Sequence, residues 1–217
     1  MHNQSAIIFV NGELCNAQVV RQFALQADKI IAADGGLKHV FALGLTPHLL
    51  IGDLDSVSAD EVTRARELGC EVRQYPVEKD ENDLELALLA AVECGCGSIR
   101  LAAALGGRLD QTLANIYLLN LPQMDGVDAR LDDGKTEVVL IRSRLELEGR
   151  AGDTVSLLPL SPLVRGITTT DLKFPLIDES LEFSRSRGIS NVMLSSTATI
   201  EVTSGALLCV HIRKEDE

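Results

Sequence analysis

The stretch KIIAADGGLKHVFALGLTPHLLIGDLDS, residues 29–56, decides the fold class of this chain. It contains two short apolar runs, at residues 29–33 and 49–51, and such runs are typical of buried strands. The segment between them, at about residues 36–43, is predicted to be a helix. Strand, helix and strand in this order predict a βαβ unit with two parallel strands. A polar cluster follows each strand directly, which places both clusters at one edge of a sheet.

The same alternation of apolar runs and amphipathic segments extends from residue 6 to about residue 121. Ser58 and Glu61 have the spacing of a capping box, which predicts where one of the helices begins. The pattern predicts an open, mostly parallel α/β sheet. Further strands are expected at residues 6–10, 71–77 and 99–105, and further helices at about residues 16–27, 59–68, 83–94 and 110–120.

The pattern changes after about residue 122. The segment LPQMDGVDARLDDGK, residues 121–135, is rich in turn formers, and the rest of the chain has short apolar runs broken by Asp-Gly, Gly-Asp and Ser-Gly pairs. This pattern is typical of short strands joined by turns. We therefore predict an α/β domain over residues 1–124 and a separate all-β domain over residues 125–217.

The composition excludes several classes of function. The chain has 217 residues, 46% of them hydrophobic, and a formal net charge of −12. This charge argues against a nucleic-acid partner, since such binding depends on clustered Lys and Arg. No apolar run reaches the roughly 18 to 20 residues of a membrane helix, so no membrane role is expected. The amino terminus lacks the pattern of a secretory signal, and the expected location is the cytoplasm. The five cysteines match no zinc or redox spacing and are expected to be reduced.

Polar or glycine-rich clusters follow all five predicted strands of the α/β domain. In a parallel sheet the carboxyl ends of the strands meet at one edge, where ligands bind. The clusters would bring many carboxylates together there, and such a group repels itself unless a cation is present. Carboxylate oxygens are the ligands that Mg²⁺ prefers. The sequence therefore predicts a metal site at this edge, drawn from Asp34, Asp53, Asp55, Asp80, Asp83 and Asp110.

The same edge has features that suit a phosphate. The glycine pairs at residues 35–36 and 106–107 allow a phosphate to approach the backbone closely, while Lys79 and Arg108 supply positive charge. Neither a Walker loop nor a dinucleotide-binding glycine fingerprint occurs in the sequence. A metal and a phosphate ligand are expected together, in a nucleotide site of another design.

At these residues the sequence resembles the thiamine pyrophosphokinase family. The resemblance covers nearly the whole chain and keeps the order and spacing of the motifs. In the α/β part it rests on ADGG at residues 33–36, PHLLIGDLDS at 47–56, KDENDLELAL at 79–88 and LGGRLDQTLAN at 105–115. In the tail it rests on VSLLPL at 155–160, LKFPL at 172–176 and GISN at 188–191.

The resemblance implies a fold, an activity and a set of site residues. The fold would be an N-terminal α/β domain and a C-terminal β-sandwich domain that binds thiamine and dimerises. The activity would transfer pyrophosphate from ATP, as co-substrate with Mg²⁺, to thiamine, in a homodimer whose active sites lie near the subunit interface. Asp53, Asp55 and Asp83 would bind metal and, with Asp110, act in catalysis. ATP would contact Asp34, Gly35, Gly36, Lys79, Asp80, Gly107, Arg108 and Thr112. Thiamine would contact Ser190, Asn191 and Phe174, with Phe183 as another candidate for stacking because the chain has no Trp.

Several questions stay open at this point. Either Asp83 or Asp110 would orient or deprotonate the thiamine hydroxyl. A related diphosphokinase acting on a pterin alcohol would use the same donor elements, and a binding module without turnover would keep the same fold. The run Asp53-Leu54-Asp55-Ser56-Val57 also loosely fits the nucleophile motif of haloacid-dehalogenase-like phosphatases. In those enzymes the motif follows the first strand of the core, whereas here it follows the third.

Overall fold

The chain folds into two compact units, one ending at Gly134 and the other beginning at Lys135. The structure is a computed structural model, and it describes residues 4–214. The first unit alternates strands and helices, and the second consists of strands. The predicted α/β architecture followed by an all-β part is confirmed. The predicted boundary after residue 124 lies before the last strand of the first unit.

The first unit contains six strands and five α-helices within the described part of the chain. Their parallel pairing gives the sheet order β6-β5-β1-β2-β3-β4. Strands β2, β3 and β4 follow one another on one side of β1. Strand β5 pairs with the other side of β1, and β6 pairs with β5. The strands are β1 Gln4–Phe9, β2 Lys29–Ala33, β3 Leu49–Gly52, β4 Glu71–Gln74, β5 Cys96–Ala102 and β6 Asp128–Asp132, and the helices are α1 Ala17–Gln26, α2 Leu37–Ala42, α3 Ala59–Glu67, α4 Asp83–Glu93 and α5 Leu109–Leu118.

Both faces of this sheet are covered. Ile7 and Phe9 of β1 and Leu50 of β3 pack in one core cluster with Val20 of α1 and Val40 of α2. The residues that alternate with them along the strands are buried too, among them Ile8, Ile31 and Ile51. Burial on both faces explains why these strands are continuous apolar runs rather than alternating patterns.

Several strands of the first unit differ from the prediction, and β5 begins and ends three residues earlier than expected. Strand β4 ends at Gln74 instead of residue 77, because Pro76 lacks the N–H that a further ladder bond would need. Strand β6 lies in the segment assigned to the tail, yet it pairs in parallel with β5, as in Ile99 with Ala129. The capping box predicted at Ser58 and Glu61 is present at the start of α3.

The second unit is a β-sandwich. One antiparallel layer has the order β12-β9-β14-β7 and the other β11-β10-β13-β8. A single apolar core cluster draws residues from both layers, including Val155 and Leu207 from the first and Leu147 and Ile200 from the second. The strands are β7 Thr136–Ile141, β8 Arg144–Glu148, β9 Thr154–Pro159, β10 Leu163–Thr170, β11 Glu179–Glu182, β12 Asn191–Val192, β13 Thr197–Glu201 and β14 Leu207–Ile212.

Within residues 4–214, no helix is long and apolar enough to cross a membrane. Over the same residues, no disulfide joins any of the five cysteines.

Candidate active site

The turn after β2 packs against the end of β1 at Gly36. Asp34 begins a single 3-10 turn, Asp34–Gly36, with a left-handed φ of 45°. A Cβ on Gly36 would collide with the carbonyl oxygen of Phe9. Only glycine therefore fits where the turn touches β1. As a result, the buried carboxylate of Asp34 lies at the carboxyl edge of the sheet.

Three carboxylates from three segments meet at this edge. Asp34 follows β2, Asp53 follows β3 and Asp83 is the first residue of α4. One carboxylate oxygen from each lies within 4.8 Å of the corresponding oxygens of the other two. We call these three residues the acidic triad. Among the residues that the structure describes, it is the only group of three side chains spaced to share a metal ion.

Local hydrogen bonds hold the triad in place. Asn82 caps α4, since its Oδ1 accepts from the backbone N–H of Glu85 at 2.8 Å, and the carboxylate of Asp83 therefore lies in the first turn of the helix. In the loop after β3, the backbone N–H of Asp55 donates to Asp53 Oδ1 at 3.1 Å. The backbone N–H of Ser56 donates to Asp34 Oδ1 at 3.4 Å.

Lys79 points into the acidic triad. Its Nζ lies 3.0 Å from Asp83 Oδ1 and 3.5 Å from Asp53 Oδ2, and its side chain is 11% exposed. Burial opposes the charge of this lysine, but contacts with Asp83 and Asp53 outweigh burial and raise the pKa of Lys79. Burial also raises the pKa of Asp83, and the charges of Asp53 and Asp34 add to that effect against the lowering by Lys79. Burial and the neighbouring carboxylates thus outweigh the effect of Lys79 on the pKa of Asp83.

The other predicted carboxylates lie outside the triad. Asp55 is exposed, and its Oδ1 accepts from the hydroxyl of Ser56 at 2.9 Å. Asp80 is exposed in the turn before α4. Asp110 forms an exposed ion pair with Arg108, with 2.6 Å between Arg108 Nη2 and Asp110 Oδ2. Three of the six predicted aspartates thus form the acidic triad and are close enough to share a metal ion. The other three are exposed and lie outside the triad.

The turn after β5 contains the second glycine pair. Gly106 and Gly107 have φ values of 78° and 65°, which favour glycine. The hydroxyl of Thr112, in the first turns of α5, donates to the carbonyl oxygen of Gly106 at 3.0 Å. Asn115 donates from Nδ2 to the carbonyl oxygen of Ala104 at 2.9 Å. These bonds connect the glycine turn to α5 and leave the side chain of Arg108 exposed beside it.

In the second unit, Asn191 holds the backbone of Phe174. The Oδ1 atom of Asn191 accepts from the Phe174 N–H at 2.9 Å, and its Nδ2 donates to the Phe174 carbonyl oxygen at 2.7 Å. Asn191 is buried, whereas Phe174 is 61% exposed. Ser190 is exposed with a φ of 59°, and its N–H donates to Ser156 Oγ at 3.0 Å. Asn191 therefore fixes the backbone of Phe174 while Phe174 stays exposed. Phe183, the other stacking candidate, is exposed as well.

Comparison with known proteins assigns the family. The profile described as "Thiamin pyrophosphokinase, catalytic domain" matches residues 20–131, more than half of the chain. The profile described as "Thiamin pyrophosphokinase, vitamin B1 binding domain" matches residues 141–207. The chain belongs to the thiamin pyrophosphokinase family.

Individual members of the thiamin pyrophosphokinase family agree with this assignment. The thiamine pyrophosphokinase of Bacillus subtilis is 28% identical over 182 residues, which cover 83% of this chain and 85% of the relative. Thiamine pyrophosphokinase 1 of Arabidopsis thaliana is 23% identical over 208 residues, covering 85% and 78%. A crystal structure of a Bacillus subtilis thiamine pyrophosphokinase has the same fold, with a TM-score of 0.86, 24% identity and coverage of 98% of this chain and 100% of the other.

The acidic triad has the chemistry of a magnesium site. All three candidate ligands are carboxylate oxygens, which hard divalent cations prefer. Asp83 Oδ1 is buried, and the ammonium group of Lys79 lies 3.0 Å from it. Buried carboxylates are costly unless cations pair with them, and one lysine faces three carboxylates here. The residues present in this thiamin pyrophosphokinase family member therefore fit a divalent cation.

Sequence reasoning assigned some residues differently from this geometry. The residues alone place Asp34 among the candidate metal ligands and the resemblance gives it to ATP; in the structure it completes the acidic triad. Gly52 was not singled out, but a Cβ there would lie 3.1 Å from the Cβ of Asp34. Asn11 was not singled out, although its Oδ1 accepts from Lys38 Nζ at 2.5 Å and it lies against Gly35. The sequence signal for all three was their position directly after a strand, or at the end of one, at the carboxyl edge.

Proposed function

We propose that this chain is a thiamine diphosphokinase, which transfers the pyrophosphoryl group of ATP to the hydroxyl of thiamine and releases AMP. The observation that carries the proposal is the acidic triad at the carboxyl edge of the parallel sheet, in a chain of the thiamin pyrophosphokinase family. The matches extend over both units, one to a catalytic domain and the other to a vitamin B1 binding domain. The two domain descriptions support a catalytic site in the first unit and an acceptor site in the second.

The proposed metal is Mg²⁺ on Asp34, Asp53 and Asp83. When bound there with ATP, Mg²⁺ would neutralise phosphate charge and orient the chain of phosphates. Asp55, originally expected as a direct ligand, is exposed and supports Asp53 through its backbone N–H. We propose that Asp55 would instead contact metal-bound water or the nucleotide.

The proposed nucleotide site is the edge around the triad. The turns that contain Gly35–Gly36 and Gly106–Gly107 would approach the phosphates. Arg108 follows the second glycine pair, Thr112 lies in α5, and Lys79 lies between β4 and α4. The exposed Arg108–Asp110 pair is available to exchange Asp110 for a phosphate oxygen. Asp80 would contribute at the rim, since it is exposed in the turn before α4.

The reaction joins the thiamine hydroxyl oxygen to the β-phosphorus of ATP and breaks the bond between that phosphorus and the α,β-bridging oxygen. The bridging oxygen leaves with AMP, and the hydroxyl proton passes to a carboxylate or to water. Asp83 and Asp110 both remain candidates for that carboxylate. Holding the reacting atoms in line and stabilising charge would supply most of the catalysis, as in other phosphoryl transfers.

The thiamine side of the proposal uses Phe174, Asn191 and Ser190 of the second unit. An exposed aromatic ring held by a buried asparagine is suited to stacking on a flat heterocycle. A homodimer and a cytoplasmic location also belong to the proposal. Exposed Ile177, Phe183 and Leu194 supply apolar surface on the second unit, in keeping with an interface.

The deciding experiment incubates the purified chain with Mg-ATP and thiamine and follows AMP and thiamine diphosphate by chromatography. Equal amounts of both products would support the proposal. AMP formed with a hydroxymethylpterin but not with thiamine would replace the acceptor, and no AMP from folded protein with either acceptor would indicate a binding module. Light scattering on the same sample would measure whether the chain is a dimer.

A further inference from the structure

Lys79 occupies the space where the carboxylates of the acidic triad converge. It lies in the turn between β4 and α4, and its Nζ contacts Asp83 at 3.0 Å and Asp53 at 3.5 Å. The exposed fractions of these side chains are 11% for Lys79, 13% for Asp53 and 24% for Asp83. These contacts are shielded from water, so they are stronger than an ion pair on the surface.

The ammonium group and a divalent cation would compete for the same oxygens. Three carboxylates carry three negative charges, and Lys79 is the cation that contacts two of them. Asp83 Oδ1, which lies 3.0 Å from Lys79 Nζ, is a buried oxygen of the triad. A metal ion bound to this oxygen would bring two positive charges close to the ammonium group. The repulsion between them would weaken metal binding unless the ammonium moved away.

A lysine is suited to such a movement. Its charge sits on a flexible stem of four carbons, and it binds phosphate as a point charge without a fixed geometry. The same edge carries the glycine turns and Arg108, where the phosphates of ATP are proposed to lie. A phosphate oxygen there offers the ammonium group another anionic partner when a metal takes the carboxylates.

We propose that Lys79 is the resident counter-cation of the acidic triad and keeps free Mg²⁺ from binding tightly to the nucleotide-free enzyme. Metal then binds together with ATP, and the ammonium group of Lys79 moves from the carboxylates to the phosphates of ATP. The inference rests on the proposed function for the identity of the nucleotide. It does not depend on that function for the competition between Lys79 and the metal.

The test measures the affinity of the full chain for Mn²⁺ without nucleotide, by the loss of the free Mn²⁺ signal in electron paramagnetic resonance. Lys79→Gln removes the charge and keeps a hydrogen-bond donor, and we expect it to bind Mn²⁺ about tenfold more tightly than wild type. Lys79→Arg keeps the charge and should stay within about threefold of wild type. Lys38→Gln is the matched control, because Lys38 lies in α2 and contacts Asn11 rather than the triad.

An unchanged or weaker Mn²⁺ affinity in Lys79→Gln would overturn the inference, as would equal tightening in Lys38→Gln. If Lys79→Gln is unstable, its thermal unfolding is measured with and without Mn²⁺ at low ionic strength. Mn²⁺ should then raise its unfolding temperature more than that of wild type, and an equal rise would contradict the inference. Product formation by wild type is assayed separately, so inactive wild type with a tight-binding Lys79→Gln would reject only the proposed function.

Discussion

A Cβ placed on Gly52 would lie 3.0 Å from Cγ of Asp83. The same Cβ would lie 3.1 Å from the Cβ of Asp34, and Gly52 has a φ of 147°, which favours glycine. Distances this short require a neighbour to move, and both neighbours belong to the acidic triad. We therefore expect Gly52→Ala to push the carboxylates apart and to weaken Mn²⁺ binding by about tenfold or more, or about 1.4 kcal/mol per factor of ten.

Two comparisons separate this steric effect from backbone strain. Gly44 also has a positive φ, of 67°, but an added Cβ there meets no atom within 4 Å. Gly44→Ala should therefore cost stability without changing Mn²⁺ affinity. In the double variant Gly52→Ala/Asp83→Ala the collision partner is shortened, so the loss of stability should be smaller than the sum of the two single losses. Simple additivity would show that the contact with Asp83 is not the cause.

The capping box of α3 gives a prediction about stability. Ser58 Oγ accepts from the Glu61 N–H at 3.3 Å, and Glu61 Oε2 accepts from the Ser58 N–H at 3.0 Å. We expect Ser58→Ala to lower the free energy of unfolding by about 1 kcal/mol, as measured by urea denaturation. Thr63→Ala in the same helix is the control and should cost less, since alanine favours a helix interior. Equal losses would contradict a specific role for the cap.

The sequence predicted the helices of the first unit well because helix ends depend on nearby side chains. Helix α3 begins after Ser58 and α4 after Asn82, each within one residue of the expected start. The sequence did not predict strand β6 because this strand depends on a distant part of the chain. Its sequence DARLD has only two buried apolar residues, Ala129 and Leu131, and its assignment depends on pairing with the distant β5.

The site was predicted in position but not in detail. Parallel strands bring their following loops to one edge whatever the loop sequence, so the location of the aspartates could be inferred. The direction of each side chain depends on loop dihedrals that the sequence does not reveal. Leu54, between Asp53 and Asp55, has a left-handed φ of 65°, and the two flanking aspartates differ in exposure. Asp34 joins the triad from a turn whose φ of 45° is rare for a residue other than glycine.

The clamp between Asn191 and Phe174 gives a prediction about the acceptor. Asn191→Asp can still accept from the Phe174 N–H but cannot donate to its carbonyl oxygen. Under the proposed function, we expect a higher KM for thiamine with a smaller change in kcat, because Asn191 positions the aromatic ring and does not touch the reacting phosphorus. Phe174→Ala should raise the KM at least as much, while Phe174→Tyr should retain most of the affinity. Steady-state kinetics with thiamine as the varied substrate would measure this, and a loss confined to kcat would contradict it.

The buried histidine of the second unit predicts how stability depends on pH. His211 is fully buried, with Nε2 2.8 Å from Asp153 Oδ2 and Nδ1 3.3 Å from Glu137 Oε2. Burial lowers the pKa of His211, but the hydrogen bonds to Glu137 and Asp153 outweigh burial, and the net effect is a raised pKa. Burial likewise raises the pKa of Asp153, but hydrogen bonds from Lys214, His211 and Arg150 outweigh it and leave this pKa lowered.

The direction of the pH effect follows from these two shifts. The contribution of protonated His211 is fully present below its unfolded pKa of about 6.5 and is lost as the pH rises through the raised folded value. The contribution of Asp153 is present above its unfolded pKa, near 4, and is lost as the pH falls through the lowered one. His211→Gln should therefore destabilise the protein most between about pH 4 and 6.5 and progressively less at alkaline pH. Thermal unfolding from pH 5 to 9 measures this, with Leu147→Ala, which removes a fully buried apolar side chain, as a control expected to destabilise equally at every pH. A constant difference between wild type and His211→Gln would show that the pKa of the histidine is the same in the folded and unfolded states.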